Sequence, residues 1–262
     1  MTRPPNLPDF ADPPLYEVVL GVQFAPVLGY SQIRAGEVWS LYKDRFPLVE
    51  EHPPLAPTFE TFGRPQATQF GLGFVTGASH DRFWFLTPSK EELIQFQQDR
   101  LMHNWRKVGD EKNPYPRFET MIRDFEKELR SLEGYFVSLA TQAILINQCE
   151  VTYVNHIPLE QPDNWLRFVR FGGIEIDDFA MTFRRTLLRK GEPVGRLICE
   201  TTSVIAAGNK LMLRLALTAR GAPSHPDMHA ALELLRENRE VVVHAFAELT
   251  TETAHKTWKR IQ

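Results

Sequence analysis

The stretch QCEVTYVNHI, residues 148–157, places a carboxylate, Glu150, a hydroxyl, Thr152, and an imidazole, His156, on one side of what reads as a single β-strand. An acid and an imidazole are the parts of a general acid–base pair. Six residues of extended chain, however, hold Glu150 and His156 roughly 20 Å apart, far beyond the ~3 Å of a catalytic hydrogen bond. They form no direct dyad. The same parity on neighbouring strands adds Asn104 and Arg106 from RLMHNWRK and Arg214 from KLMLRLALT, and Glu200 from LICETT supplies a further carboxylate. Glu150 beside Arg106 or Arg214 gives either a cross-strand ion pair or a clamp for a ligand carrying both charge signs; the ion pair is the more frequent outcome for opposite charges on adjacent strands. These seven residues are the candidate binding set, and no residue is assigned a catalytic role.

Other chemistries find less support. His225 and His229 have the i,i+4 spacing of metal ligands, but His225 precedes a proline at a helix start, where helical spacing does not apply, and no metal or cofactor is expected. GLGFVTG, Gly71 to Gly77, has the wrong spacing for a phosphate loop and no helix after it. Cys149 and Cys199 lack CxxC spacing and share parity with apolar neighbours, which makes them free core thiols. Tyr153, Asn155 and His103 fall on the core parity: Asn155 is expected to bond a backbone edge near a helix starting at Trp165, and His103 to be a satisfied core histidine.

The elements that position these residues come twice. YEVVLGVQFAP, Tyr16 to Pro26, alternates with Val18, Leu20, Val22 and Phe24 on one face, and Glu17-Val18 is answered by Glu150-Val151. A short amphipathic helix candidate follows each strand, WSLYKDRF from Trp39 and WLRFVRF from Trp165. Then come strands divided by turn residues: RFWFLTP, LIQFQ and RLMHNWRK, against TFRRTLL, VGRLICETTSV and KLMLRLALT. A long helix starts at Pro116 in one half and at Pro226 in the other, proline being suited to a first helical position. The first helix is expected to stop near Gly134 and the second to run about twice as far.

The chain therefore divides into a Pro-rich arm (1–15), a first α+β repeat (16–134) carrying an insertion at 47–80, a linker (135–148) and a second repeat (149–262) with the long C-terminal helix. The expected fold is α+β: two repeats of strand, helix, antiparallel strands and long helix forming a curved sheet with helices on one face, which resembles TATA-binding-protein-like and helix-grip folds. Fold of this kind carries no function with it.

PPLYEVV (13–19), NWR (104–106), YPRFE (115–119) and EVTYVNHI (150–157), in this order, resemble a sporadically distributed, functionally uncharacterised bacterial protein family over nearly the whole chain. The resemblance implies no catalytic residue.

Thirty Lys and Arg against 33 Asp and Glu leave a net charge of −3, which disfavours nucleic acid as a partner. MTRPPNLPDFADPP has no apolar signal core and no apolar run approaches the roughly 20 residues of a membrane span, so the expectation is a cytoplasmic protein without membrane association. Function reads as a non-enzymatic binding module presenting a polar open sheet face to an unidentified protein or small molecule; the alternative is an enzyme or small-molecule binder with its pocket between that face and the 47–80 insertion. The apolar stripe Met228, Leu232, Leu235, Val242, Phe246 and Leu249, continued by Trp258 and Ile261, points to a homodimer through the C-terminal helix or to a fold-back onto the chain's own core.

Overall fold

The computed structural model describes residues 4–62, 81–174 and 176–262. The stretch 63–80, including GLGFVTG, lies outside the described residues.

Nine strands among the described residues form one antiparallel sheet: β1 Leu15–Phe24, β2 Leu48–His52, β3 Arg82–Leu86, β4 Glu92–Gln97, β5 Arg100–Arg106, β6 Ile146–Pro158, β7 Ala180–Arg189, β8 Glu192–Ala206 and β9 Lys210–Gly221. Their order is β2-β3-β4-β5-β1-β6-β9-β8-β7, so β1 and β6 lie side by side at the centre, with Gly21 opposite Glu150. The period-2 alternation decides which side of each strand is buried. Val18, Leu20, Val22 and Phe24 of β1, Leu101 and Trp105 of β5, Val151 and Ile157 of β6, and Leu213, Leu215 and Leu217 of β9 are all buried. Each such side chain contributes about 1.5–3 kcal/mol by leaving water.

Two long helices, α2 Phe118–Ala140 and α3 Met228–Leu249, cover this side, joined by the short α1 Ala35–Ser40 and α4 Glu252–Thr257. In α2, Phe118, Met121, Ile122, Phe125, Leu129, Leu132 and Phe136 recur every three or four residues and make a continuous apolar stripe. Among the described residues, the opposite side of the sheet carries no helix.

Several expectations need correction. α2 does not stop near Gly134: it continues to Ala140 and has 23 residues against 22 in α3. A single exposed glycine costs about 1 kcal/mol in a helix, less than burying Leu132 and Phe136 on either side of it returns. The prolines precede the caps instead of opening the helices, and α3 is capped by Asp227, whose carboxylate accepts from the Ala230 N–H at 2.8 Å. The helix near Trp39 begins earlier, at Ala35, and is over by Ser40. No helix forms over Trp165–Phe171. There the Asp163 carboxylate takes the Phe171 N–H at 2.9 Å and the Arg167 N–H goes to Leu249 O at 2.8 Å, so donors that a helix needs are spent elsewhere.

The overhanging stripe that motivates a homodimer is also absent. After Leu249 the chain turns at Thr250 into α4, and Trp258 comes back to stack on Phe246 (5.2 Å between centroids) and on Trp165 (6.0 Å). The N-terminal arm closes over it, Phe10 meeting Phe246 edge-on at 5.4 Å. No helix among the described residues is long and apolar enough to cross a membrane.

Candidate functional site

The helix-free side of the sheet, called the open face below, holds the candidate set, but it is less solvated than alternation alone suggests. Gln23, Gln95, Gln97, Arg100, Asn104 and Gln148 project from it and are nonetheless buried. The cover is the segment Pro53–Phe62, which leaves the end of β2 and crosses the face as an extended strap. Its hold is polar throughout. Gln97 grips Leu55 at two points, accepting from its N–H at 2.8 Å and donating to its carbonyl at 3.0 Å. Arg100 donates to the carbonyls of Leu55 (3.3 Å) and Ala56 (3.1 Å), and Gln23 accepts from the Thr58 N–H at 2.9 Å. Farther across, Glu60 of the strap lies between Arg196 of β8 (3.0 Å) and Arg220 of β9 (3.4 Å), and Arg196 also donates to Thr61 O and holds its guanidinium 5.4 Å from the Phe62 ring centre.

Between strap and sheet is a cavity of about 300 Å³, walled by Leu55, Ala56 and Thr58 above and by Gln23, Arg100, Met102, Gln148, Glu150 and Arg220 below. Gly21 makes its floor: a Cβ there would come within 3.1 Å of Met102 Cγ and 3.2 Å of Glu150 Cγ. Gln148 is 7% exposed and its Oε1 has no hydrogen-bond partner among the described residues.

The sequence candidates occupy this face but not one site. Glu150 reaches the cavity, and its partner is Arg220 at 2.8 Å, neither Arg106 nor Arg214. Register is the reason: Arg220 stands directly opposite Glu150, Arg214 is opposite His156, and Arg106 is opposite Glu17. Asn104 sits in the middle of a relay that crosses three strands, accepting from Gln95 at 2.9 Å and donating to Glu17 at 2.7 Å. Arg106 lies over the Trp84 ring at 5.4 Å and donates to Lys90 O at 3.1 Å. Thr152 shares a hydrogen bond with Thr218 at 2.7 Å. Glu200 is exposed on β8, opposite Ala216 of β9.

His156 and Arg214 line a separate groove of about 470 Å³ at the other end of the face, together with Tyr16, Glu17 and Lys107. His156 stacks on Tyr16 with centroids 3.8 Å apart; burial and then the Arg214 charge push its imidazole down to about 4, so it is neutral near pH 7.

On the helix side, Asn155 donates to Leu215 O at 3.4 Å and not toward Trp165. Both cysteines are buried, and burial raises their thiols, Cys199 to about 12, which keeps them un-ionised. His103 is fully buried between Glu128 (2.7 Å) and Glu92 (3.2 Å).

Sequence reasoning overlooks the cavity residues Gln148 and Arg220 and, beside the cavity, Arg196 and Glu60. Gln148 shares the parity of Glu150, and Arg220 that of Arg214, but the strand signal KLMLRLALT ends two residues short of Arg220. Glu60 sits in a segment without periodicity, where nothing local foretells its contacts. No protein-family model matches this chain, and neither does any curated protein.

Proposed function

We propose that this protein is a non-enzymatic binding module that holds a small polar ligand in the cavity between the open sheet face and the Pro53–Phe62 strap. The observation that carries the reading is the Gln148 carbonyl oxygen, buried, in a residue that lines the cavity, and without a donor among the described residues. A buried acceptor left unpaired costs about 1–3 kcal/mol, which a ligand N–H or O–H at this position would recover. Gly21 supports the same reading, since any larger residue would take up the floor.

The cavity lies where two similar units meet. We take the chain to be an internal duplication, in which β1, β5, β4 and β3 correspond to β6, β9, β8 and β7; the mirrored strand order and the near-equal lengths of α2 and α3 support this. In that correspondence Val154 answers Gly21, so one unit keeps the space that the other fills.

The test is a thermal-shift screen of small polar compounds on the full chain, repeated on Gly21→Val. Compounds that stabilise the wild type and have no effect on Gly21→Val support the cavity as the site. Compounds that stabilise both equally bind elsewhere and sink the reading.

A further inference from the structure

We infer that Arg196 and Arg220 form an anion-binding subsite at the edge of this cavity, which Arg220 lines, now occupied by the chain's own Glu60, and that the ligand is a small organic anion whose carboxylate or phosphate displaces that side chain. The inference rests on the cavity reading above and adds the ligand's charge. It starts from where the charges are carried. On the sheet itself Arg100 is balanced by the adjacent Asp99, its Nε 3.1 Å from Oδ1. Of the next two, Arg220 pairs with a sheet carboxylate, Glu150, at 2.8 Å, whereas Arg196 pairs with Glu60 of the strap. Within this group the sheet supplies two guanidiniums and one carboxylate, and the second carboxylate belongs to the strap.

Glu60 behaves like a bound ligand's carboxylate. Its two oxygens go to different guanidiniums, Oε2 to Arg196 Nε at 3.0 Å and Oε1 to Arg220 Nη1 at 3.4 Å, and its side chain is only 10% exposed. Two converging guanidiniums are a recognised arrangement for carboxylate and phosphate because their planar N–H donors match the anion's oxygens. The second, independent sign of a ligand is Gln148 Oε1: its residue borders both the cavity and the neighbouring hollow that contains Glu60. An anion seated on Arg220 would have its uncharged end within the space above Gly21, where a donor meets Gln148. The strap is also held at Leu55, Ala56 and Thr58 through backbone groups, and at Thr61 O and Phe62 through Arg196, contacts that do not use the Glu60 side chain. Glu60 can therefore leave the two arginines while the strap remains in place.

The experiment is isothermal titration of the full chain with inorganic phosphate and, separately, with malonate, using wild type, Glu60→Gln and Glu60→Gln/Arg220→Met. Removing the internal competitor is expected to tighten binding of at least one probe by about tenfold or more, and removing Arg220 as well is expected to abolish the gain. Phosphate responding alone identifies a phosphate ester as the natural class, malonate alone a carboxylate. Glu60→Gln binding neither probe more tightly than wild type overturns the inference. If Glu60→Gln does not fold, as judged by its melting curve, Glu60→Asp, which keeps the charge but shortens its reach, takes its place with the same criterion. The two readings fail separately: neutral compounds that need Gly21 leave the cavity standing when the anion subsite falls, whereas probe binding unchanged by Gly21→Val in the Glu60→Gln background places the subsite outside the cavity.

Discussion

β5 and β9 hold equivalent places in the sheet, each one strand out from the central pair, yet they put different chemistry against their helices. β9 presents Leu213, Leu215 and Leu217, packed with Val242, Ala245 and Phe246 of α3. β5 presents Leu101, His103 and Trp105, and its histidine is enclosed by Glu92 and Glu128 with Arg45 at the rim, 3.3 Å from Asp124 and 3.5 Å from Glu128. Both halves are fully packed. The difference is that an apolar core fails gradually when trimmed, whereas a buried ionic cluster is sound only when complete, because its members lose hydration that only their partners replace.

The largest expected effect breaks the cluster. Glu128→Ala leaves the His103 imidazolium with one carboxylate in place of two and should lower stability by about 3–5 kcal/mol in urea denaturation at neutral pH. Making the first half resemble the second should undo much of this. His103→Leu combined with Glu128→Met replaces charge with apolar volume while Glu92 keeps Arg45 as its partner, and it is expected to recover at least ~2 kcal/mol of the loss. A double variant as unstable as Glu128→Ala would show that the cluster's shape, not its charge, is what the first half requires.

A second contrast lies in pH. Burial alone would lower the His103 imidazole, but Glu128 and Glu92 outweigh it and raise the group to about 9. With a folded value above the unfolded 6.5, the contribution is fully present below pH 6.5 and is lost as pH rises through 9. The loss should be on the order of 3 kcal/mol, read as a fall in wild-type stability between pH 6.5 and 9. His103→Leu/Glu128→Met should be flat across that window. Leu215→Ala, in the second half, should cost about 2–5 kcal/mol and leave the alkaline slope unchanged.

These cores show which parts of the molecule were open to reading from sequence. The side of the sheet on which Val18, Leu20, Leu101, Trp105 and Val151 lie follows from alternation, a local property of the chain. His103 also falls on that side by alternation, but its carboxylates come from β4 and α2, and only the tertiary fold brings them in. The same limit governs the site. Glu150 is placed on the correct face, while its partner Arg220 depends on the register between β6 and β9. The strap is the extreme case: Pro53–Phe62 has no periodicity to betray that it lies across a sheet, and the contacts that hold it to β1, β4, β5, β8 and β9 are all non-local. The helix near Trp165 fails for a related reason, because Asp163 and the end of α3 claim its N–H groups.

The smallest effect concerns the histidine on the open face of the second half. His156 differs from His103 in every respect that sets charge: its ring stacks on Tyr16, its neighbour is Arg214, and its Nδ1 is buried with no partner among the described residues. Its folded value of about 4 lies below the unfolded 6.5, so its contribution is present above pH 6.5 and is lost as pH falls through 4, the reverse of His103. His156→Phe keeps the stack on Tyr16 and removes the unpaired nitrogen, so at pH 7 the change in stability should stay within about 1 kcal/mol. Below pH 6.5 the variant should resist acid better than wild type, since it no longer has a ring that must take up a proton beside Arg214. Equal acid sensitivity in the two proteins would mean that the imidazole is already solvated or charged there, and that the two histidines differ less than their surroundings indicate.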